Sequence, residues 1–185
     1  LQEVKDLYQM RTIMRLINYF RKTQKRGLDY LQVAKVIKSN KALQIDAYSR
    51  LNLELTRTIR SDEKFGSLFW LLDETKTAMG GRLLKRWISK PSSDINEITN
   101  RQDMIQSFID SFMIRNDVRT MLDEVYDLER LIARISFGNA NGRDMLQLKN
   151  SLKPLPNIKN LLYKLNNQSI NAIIDKMGDF TDIVE

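Results

Sequence analysis

Apolar residues recur at steps of three and four residues along most of this chain. The amino-terminal segment shows the pattern most clearly, with one helical face made of Leu1, Val4, Leu7, Met10, Met14 and Ile17. This spacing is typical of amphipathic helices, because an α-helix completes a turn in about 3.6 residues. The sequence therefore predicts an all-α fold, organised as a multi-helix bundle.

One short segment departs from helical spacing, and we expect at most one short β-hairpin there, near residues 31–45. Its apolar residues at 31, 33, 36 and 37 are followed by the turn Ser39-Asn40-Lys41 and then by Leu43 and Ile45. The predicted helices cover residues 1–22, 47–59, 68–72, 79–89, 95–113, 118–135, 143–153, 157–165 and 169–177. Their predicted starts include Asp46, Thr77, Asp94 and Asp117, whose side chains can cap a helix.

The composition excludes several kinds of chemistry. The 185 residues include no cysteine and no histidine, which removes disulfides, thiolate zinc sites and the commonest general base. The longest apolar run is the five residues 68–72, against about 20 for a membrane-spanning helix, so we expect no membrane partner. We expect a single domain over residues 1–185, and the missing initiator methionine indicates a piece of a longer protein.

The positive charge is concentrated in the first half of the chain. Residues 1–90 carry 19 basic and 9 acidic side chains, whereas residues 91–185 carry 11 and 14. Between Arg11 and Lys41 nine basic residues accompany a single acid, Asp29. Such a stretch attracts phosphate backbones or an acidic partner, and a solvated helix face is the simpler interpretation. An autonomous nucleic-acid-binding helical module using residues 11–41 is therefore one candidate function.

A glycine pair is the nearest approach to a phosphate-binding loop. Gly80 and Gly81 precede Arg82 and Lys85, but the spacing of a nucleotide-binding loop is absent and no predicted strand comes before them. Close helix packing is the favoured use of these glycines. We expect no cofactor site here.

Carboxylate pairs and aromatic residues each allow a structural and a functional interpretation. Adjacent acids occur at residues 73–74 and 123–124 and a third pair at Asp127 and Glu129, and ion pairs within the chain explain them more simply than acid–base catalysis or a metal site. Trp87 shares a helical stripe with Leu83 and Leu84, which favours core packing over stacking on nucleic-acid bases. We predict no catalytic and no metal-binding residue.

Four segments in order closely resemble the core domain of the MutS family of DNA mismatch-repair proteins. They are residues 52–55, residues 72–87 with Pro91, Asp94, Ile98 and Arg101, residues 127–134, and Arg143-Asp144 with Leu155-Pro156; Tyr19, Thr23 and Gln24 resemble the end of the family's first core helix. The resemblance marks these residues as structural: Asp73, Thr77, Gly80, Arg82, Leu83, Leu84, Trp87, Pro91, Arg101, Asp127, Leu128, Glu129, Arg130, Arg134 and Pro156.

The resemblance implies a mechanical function. In the family this region is the helical core at the base of long lever helices, and it joins mismatch-binding and DNA-clamp domains to an ATPase. The chain is then a non-enzymatic segment whose partners are other domains of the same chain and, through the full-length protein, mismatched duplex DNA. The resemblance also implies ATP and Mg in the full-length protein, a dimer, and a bacterial, cytoplasmic, nucleoid-associated location.

The same motifs predict one contact between distant parts of the chain. Because Arg82 and Arg101 belong to neighbouring motifs, we expect at least one of them to reach Asp127 or Glu129 across a helix interface. Arginine suits such a contact because its planar guanidinium donates to a carboxylate through two parallel bonds.

Overall fold

A computed structural model describes residues 6–23, 42–178 and 180. Within these residues the chain forms ten helices: α1 (Leu7–Thr23), α2 (Ala47–Asn52), α3 (Leu68–Leu72), α4 (Ala78–Ser89), α5 (Ile95–Asp110), α6 (Phe112–Leu122), α7 (Leu128–Ser136), α8 (Gly142–Leu152), α9 (Leu155–Tyr163) and α10 (Gln168–Ile174). The predicted all-α class is confirmed. In the described part of the chain no strand forms, and the one β-type pairing is an isolated antiparallel bridge between Ala42 and Ser92.

The chain divides into two compact units, Leu1–Asn40 and Lys41–Glu185. The described helix of the first unit is α1, whose sequence contains four basic residues and no acid. Most of the predicted hairpin near residues 31–45 lies outside the described residues. From its described end, Leu43 donates its backbone N–H to the carbonyl oxygen of Pro91 at 2.8 Å.

Local capping signals locate most helix starts in the second unit. Thr77 accepts from the backbone N–H of Gly80 at 3.0 Å, and Asp46 accepts from Ser49 at 2.9 Å. Asp94 accepts from the N–H groups of Asn96 and Glu97. These three predicted caps are confirmed, since each side-chain oxygen satisfies a donor that the first helical turn leaves unpaired.

Three predicted helices have the wrong extent. The helix predicted over 47–59 ends at Asn52, because Glu54 adopts a φ of 47° and the carbonyls of Glu54 and Leu55 accept from the start of α3. The helix predicted over 95–113 breaks at Ser111. The helix predicted from Asp117 to residue 135 is two helices, since Asp117 lies inside α6 and α7 begins only after residue 127.

The core of the second unit lies among its carboxy-terminal helices. The apolar side chains buried there are Val118, Val125, Leu131, Leu152, Ile158, Ile170 and Ile174. They come from α6 to α10 and from the connection between α6 and α7, and α6 packs on α9, α7 on α8, and α9 on α10. Burial of these stripes stabilises the helices, most of which are too short to persist alone.

A polar junction between α4 and α7

The loop between α3 and α4 (residues 73–77), called here the α3–α4 loop, is organised by Asp73. The Asp73 carboxylate accepts from the Lys64 ammonium at 2.5 Å and from the Thr75 hydroxyl at 2.7 Å. Lys64, followed by the Thr75 hydroxyl, holds the pKa of Asp73 below its ordinary value. Asp73 is therefore ionised near neutral pH, and its contacts hold the loop that leads to the Thr77 cap.

Gly80 and Gly81 allow this loop to lie against the first turn of α4. A Cβ at Gly80 would come within 3.1 Å of the Thr77 hydroxyl oxygen, and one at Gly81 within 3.3 Å of the Thr75 hydroxyl oxygen. The close approach predicted for the glycine pair involves the first turn of α4 and the residues that precede it. The neighbour is the chain's own preceding loop.

Arg82 reaches across to the start of α7 and binds two carboxylates. Its Nη1 and Nη2 each donate to one Asp127 oxygen at 2.7 Å, and Nη2 and Nε donate to Glu129 Oε2 at 2.6 and 3.1 Å. Arg82, Asp127 and Glu129 are called here the Arg82 junction. The predicted contact between an arginine of the earlier motif and these two acids is confirmed. It joins residues at least 45 positions apart in the chain.

The electrostatics of the Arg82 junction are mutually reinforcing. The Arg82 guanidinium lowers the pKa of Asp127, and Asp127, followed by Glu129, raises the pKa of Arg82. Asp127 also caps α7 by accepting from the backbone N–H of Arg130 at 3.3 Å. The half-exposed guanidinium, with 48% of its side chain accessible, is in contact with solvent. A carboxylate held this way stays ionised and is a weak base, so its suitable role is positioning.

Further polar contacts run along the same interface. The residues between α6 and α7 (residues 123–127) are called here the α6–α7 connection. Lys76 pairs with Asp123 at 3.2 Å, and Arg119 near the end of α6 donates to the carbonyl oxygen of Glu74 at 3.1 Å. The α3–α4 loop and α4 therefore contact the end of α6, the α6–α7 connection and the start of α7 in succession.

On its other side, the α6–α7 connection is held by α8. The backbone N–H of Tyr126 donates to the Ser151 hydroxyl oxygen at 2.9 Å, and the Ser151 hydroxyl donates to the Gln147 carbonyl at 2.7 Å. Ser151 is fully buried. Sequence reasoning missed this residue, because a serine inside a helix gives no signal of a partner 25 positions away.

Arg134 connects α7 to α8 at the opposite end. Its Nη1 donates to Asp144 at 2.8 Å, and the Asp144 side chain is 5% exposed and forms a capping box with Asn141. The hydrogen bond from the Asn141 backbone, followed by the one from Arg134, lowers the pKa of Asp144. Arg134 takes no part in the Arg82 junction, since the carboxylate that it binds is that of Asp144 at the start of α8.

Arg101 and Trp87 form a separate contact. The Arg101 guanidinium carbon lies 4.0 Å from the centre of the Trp87 ring, and Arg101 also pairs with Glu97 one turn earlier in α5. Arg101 therefore takes no part in the Arg82 junction. Trp87 is 38% exposed, so its prediction as a core side chain is wrong. It is an aromatic surface on which Arg101 rests.

The remaining predicted structural residues lie in ordinary positions. Leu83, Leu84 and Leu128 are half-buried, Pro91 accepts from Leu43, and Pro156 is an exposed residue in the first turn of α9. In the described residues no group of three acidic side chains is placed to hold a metal ion. Nor does any helix described here have the length and apolar character to cross a membrane.

The fold and the junction define a helical domain whose polar contacts also join helices that are distant in the sequence. A family model described as MutS domain III matches residues 48–183, and the chain belongs to that family. It is 53% identical over 94% of its length to the DNA mismatch repair protein MutS of Bacillus velezensis, and 51% identical over 95% to that of Bacillus subtilis. The MutS protein of Halalkalibacterium halodurans is 44% identical over 95% of the chain. The chain spans about a fifth of the length of these relatives.

Proposed function

We propose that this chain is the structural core and lever segment of a MutS-like DNA mismatch-repair protein. In this proposal it links the parts that engage mismatched duplex DNA to the part that binds ATP and Mg, and it carries no catalytic group itself. Its partners are other domains of the same chain, in a dimer located in the bacterial cytoplasm at the nucleoid. The family membership supports this function, and the Arg82 junction is the observation that carries it.

A junction transmits a change only if it joins bodies that can take up more than one arrangement. Arg82 lies on α4, whereas Asp127 and Glu129 lie at the start of α7, and half of the Arg82 side chain contacts solvent. Water can therefore replace the carboxylates at low cost when the two helices shift. The four donor contacts act together and favour one arrangement over its neighbours.

The alternative function, a nucleic-acid-binding module on residues 11–41, rests on a stretch that is mostly outside the described residues. Its described part is the amphipathic helix α1, with Arg11, Arg15, Arg21 and Lys22. This alternative stays a prediction, and the family membership favours the mechanical function.

The test is a chimera in which this chain replaces the matching segment of the Bacillus velezensis protein. ATP turnover is measured with and without mismatched duplex DNA, and DNA affinity is measured with and without nucleotide. Arg82→Gln should reduce the effect of DNA on turnover by roughly fivefold or more, the lower end of usual coupling energies. ATP turnover without DNA and DNA affinity without nucleotide should each change less than the stimulation of turnover by DNA.

Two further variants make the result specific. Arg82→Lys keeps the charge but not the planar fork, so it should recover only part of the coupling. Arg57→Gln removes an exposed ion pair with Asp62 outside the junction and should leave coupling unchanged. If mismatched DNA changes ATP turnover as strongly in the Arg82→Gln variant as in the Arg57→Gln variant, the proposed transmission through the junction is wrong.

A further inference from the structure

Asp123, Glu124 and Val125 of the α6–α7 connection donate to backbone carbonyls at the end of α6, whereas the N–H of Tyr126 donates to a side chain of another helix. From one side Lys76 binds Asp123 and Arg82 binds Asp127. From the other side the contact is the bond from the Tyr126 N–H to Ser151. Tyr126 directly precedes Asp127, so this bond fixes the backbone next to the carboxylate that Arg82 binds.

The hydroxyl of Ser151 is suited to hold a backbone N–H. It directs its proton to the Gln147 carbonyl one turn earlier in α8, as serines inside helices commonly do. Its lone pairs are then free to accept from Tyr126, and its full burial keeps water away from the hydroxyl oxygen. Removing the hydroxyl would leave the Tyr126 N–H without this acceptor in a partly buried contact.

We propose that Ser151 is a positioning residue of the Arg82 junction, because it holds Tyr126 so that the Asp127 carboxylate presents both oxygens to the Arg82 fork. Ser151 lies on α8, yet it fixes the geometry of the junction between α4 and α7. The consequence for transmission rests on the function proposed above. A bidentate arginine contact depends on the plane of the carboxylate as well as on distance. A small displacement of the Asp127 backbone therefore breaks one of the two 2.7 Å bonds.

The contact at the other end of α8 has a different role. Asp144 binds Arg134 near the end of α7, whereas Ser151 acts beside the residue that begins α7. The two contacts hold α7 against α8 at both ends. Only the Ser151 contact is adjacent to Asp127.

The experiment is a carbon-13 NMR titration of the aspartate carboxyls in the 185-residue chain. In the native chain the pKa of Asp127 should lie below 3.8, as should that of Asp73, which has Lys64 as its partner. Ser151→Ala should raise the Asp127 pKa toward 3.8 and leave that of Asp73 unchanged. Ser151→Thr, which retains the hydroxyl, should restore the low value.

A matched control is Ser89→Ala in α4. The Ser89 hydroxyl also donates to the carbonyl one turn earlier, at 2.8 Å, but within the described contacts no backbone N–H donates to it. This variant should change neither pKa. An Asp127 pKa that stays low in Ser151→Ala, with only a lower melting temperature, overturns the proposal and makes Ser151 a packing residue.

Hydrogen exchange in the native chain tests the proposal without any variant. The Tyr126 amide should exchange more slowly by at least about tenfold than an open amide, corresponding to about 1.4 kcal/mol. Rapid exchange of Tyr126 would overturn the proposal even if no Ser151 variant folds. These outcomes are separable from those of the chimera: Ser151 can position Asp127 whether or not Arg82 couples DNA to nucleotide.

Discussion

At the scale of single residues, the two arginines Arg82 and Arg101 show how local chemistry selects a partner. Both belong to adjacent motifs, which predict that at least one of them reaches Asp127 or Glu129. Arg101 has Glu97 four residues earlier in the same helix and lies on the Trp87 ring, so its guanidinium is already occupied. Arg82 has no acid within its own helix, and its partners come from α7.

Exposure predicts that Trp87 contributes less to stability than a smaller core residue. Ile174 is fully buried whereas Trp87 is 38% exposed. Ile174→Ala should lower the free energy of unfolding by about 2–5 kcal/mol, because it leaves a cavity. Trp87→Ala should cost only about 1–2 kcal/mol, mostly from partial burial and the contact with Arg101. Urea denaturation measures both, and a larger loss for Trp87→Ala would contradict the packing described here.

The sequence predicts the residues that act locally better than those that act at a distance. Thr77 and Asp94 are predictable as caps because a capping side chain lies only two or three residues from the N–H group that donates to it. Arg82 was found through its motif. Ser151 and Asn167 were missed, since their cross-helix partners lie 25 and 60 positions away and the residue type alone does not identify them.

At the scale of helices, continuous apolar spacing predicts one helix where the structure has α6 and α7. The helical period continues through residues 118–135, yet Val125 is buried in the α6–α7 connection instead of on a helix. Asp127 provides the local reason for the start of α7, because its side chain caps that helix. Burial of an apolar residue satisfies the hydrophobic pattern whether or not its backbone is helical.

A prediction at this scale concerns Asn167, which joins two helices. Its amide nitrogen donates to the Ser107 hydroxyl at 2.9 Å, and its oxygen accepts from the N–H groups of Ser169 and Ile170 at the start of α10. Asn167→Ala should lower the free energy of unfolding by about 1–2 kcal/mol through the lost cap, with a further loss at Ser107. Thermal unfolding measures the change.

Two variants separate the roles of Asn167. Asn167→Asp keeps a capping oxygen but loses the amide donor, so it should fall between the native chain and the alanine variant. Gln168→Ala replaces the exposed first residue of α10 and should have little effect. Equal stability of Asn167→Ala and Gln168→Ala would show that the cap and the bond to α5 contribute nothing.

At the scale of the whole molecule, polar contacts join α4, α7 and α8. Arg82 joins α4 to α7, while Ser151 and Arg134 join α8 to the two ends of α7. Three aspartates in this region, Asp73, Asp127 and Asp144, have lowered pKa values. Acid should therefore loosen the same contacts that the proposed transmission uses.

The sign of the pH dependence follows from these lowered pKa values. A carboxylate whose pKa is lower in the folded state binds its proton more readily after unfolding, so its contribution to stability is present above about pH 4 and is lost as pH falls through the folded-state pKa. With no histidine in the chain, stability should change little between about pH 5 and pH 8. The urea midpoint should then drop steeply below about pH 4.

Comparison of Arg82→Gln with the native chain shows how much of the stability lost in acid comes from the junction. Because Arg82 is the largest cause of the low Asp127 pKa, the variant should be less stable near neutral pH, and the difference should shrink as Asp127 becomes protonated in the native chain. Urea midpoints measured across the acid range test this, with Arg57→Gln as the control for loss of one exposed arginine. A difference between Arg82→Gln and the native chain that persists undiminished at the lowest pH would mean that Arg82 stabilises the fold by packing its side chain and not by binding ionised Asp127.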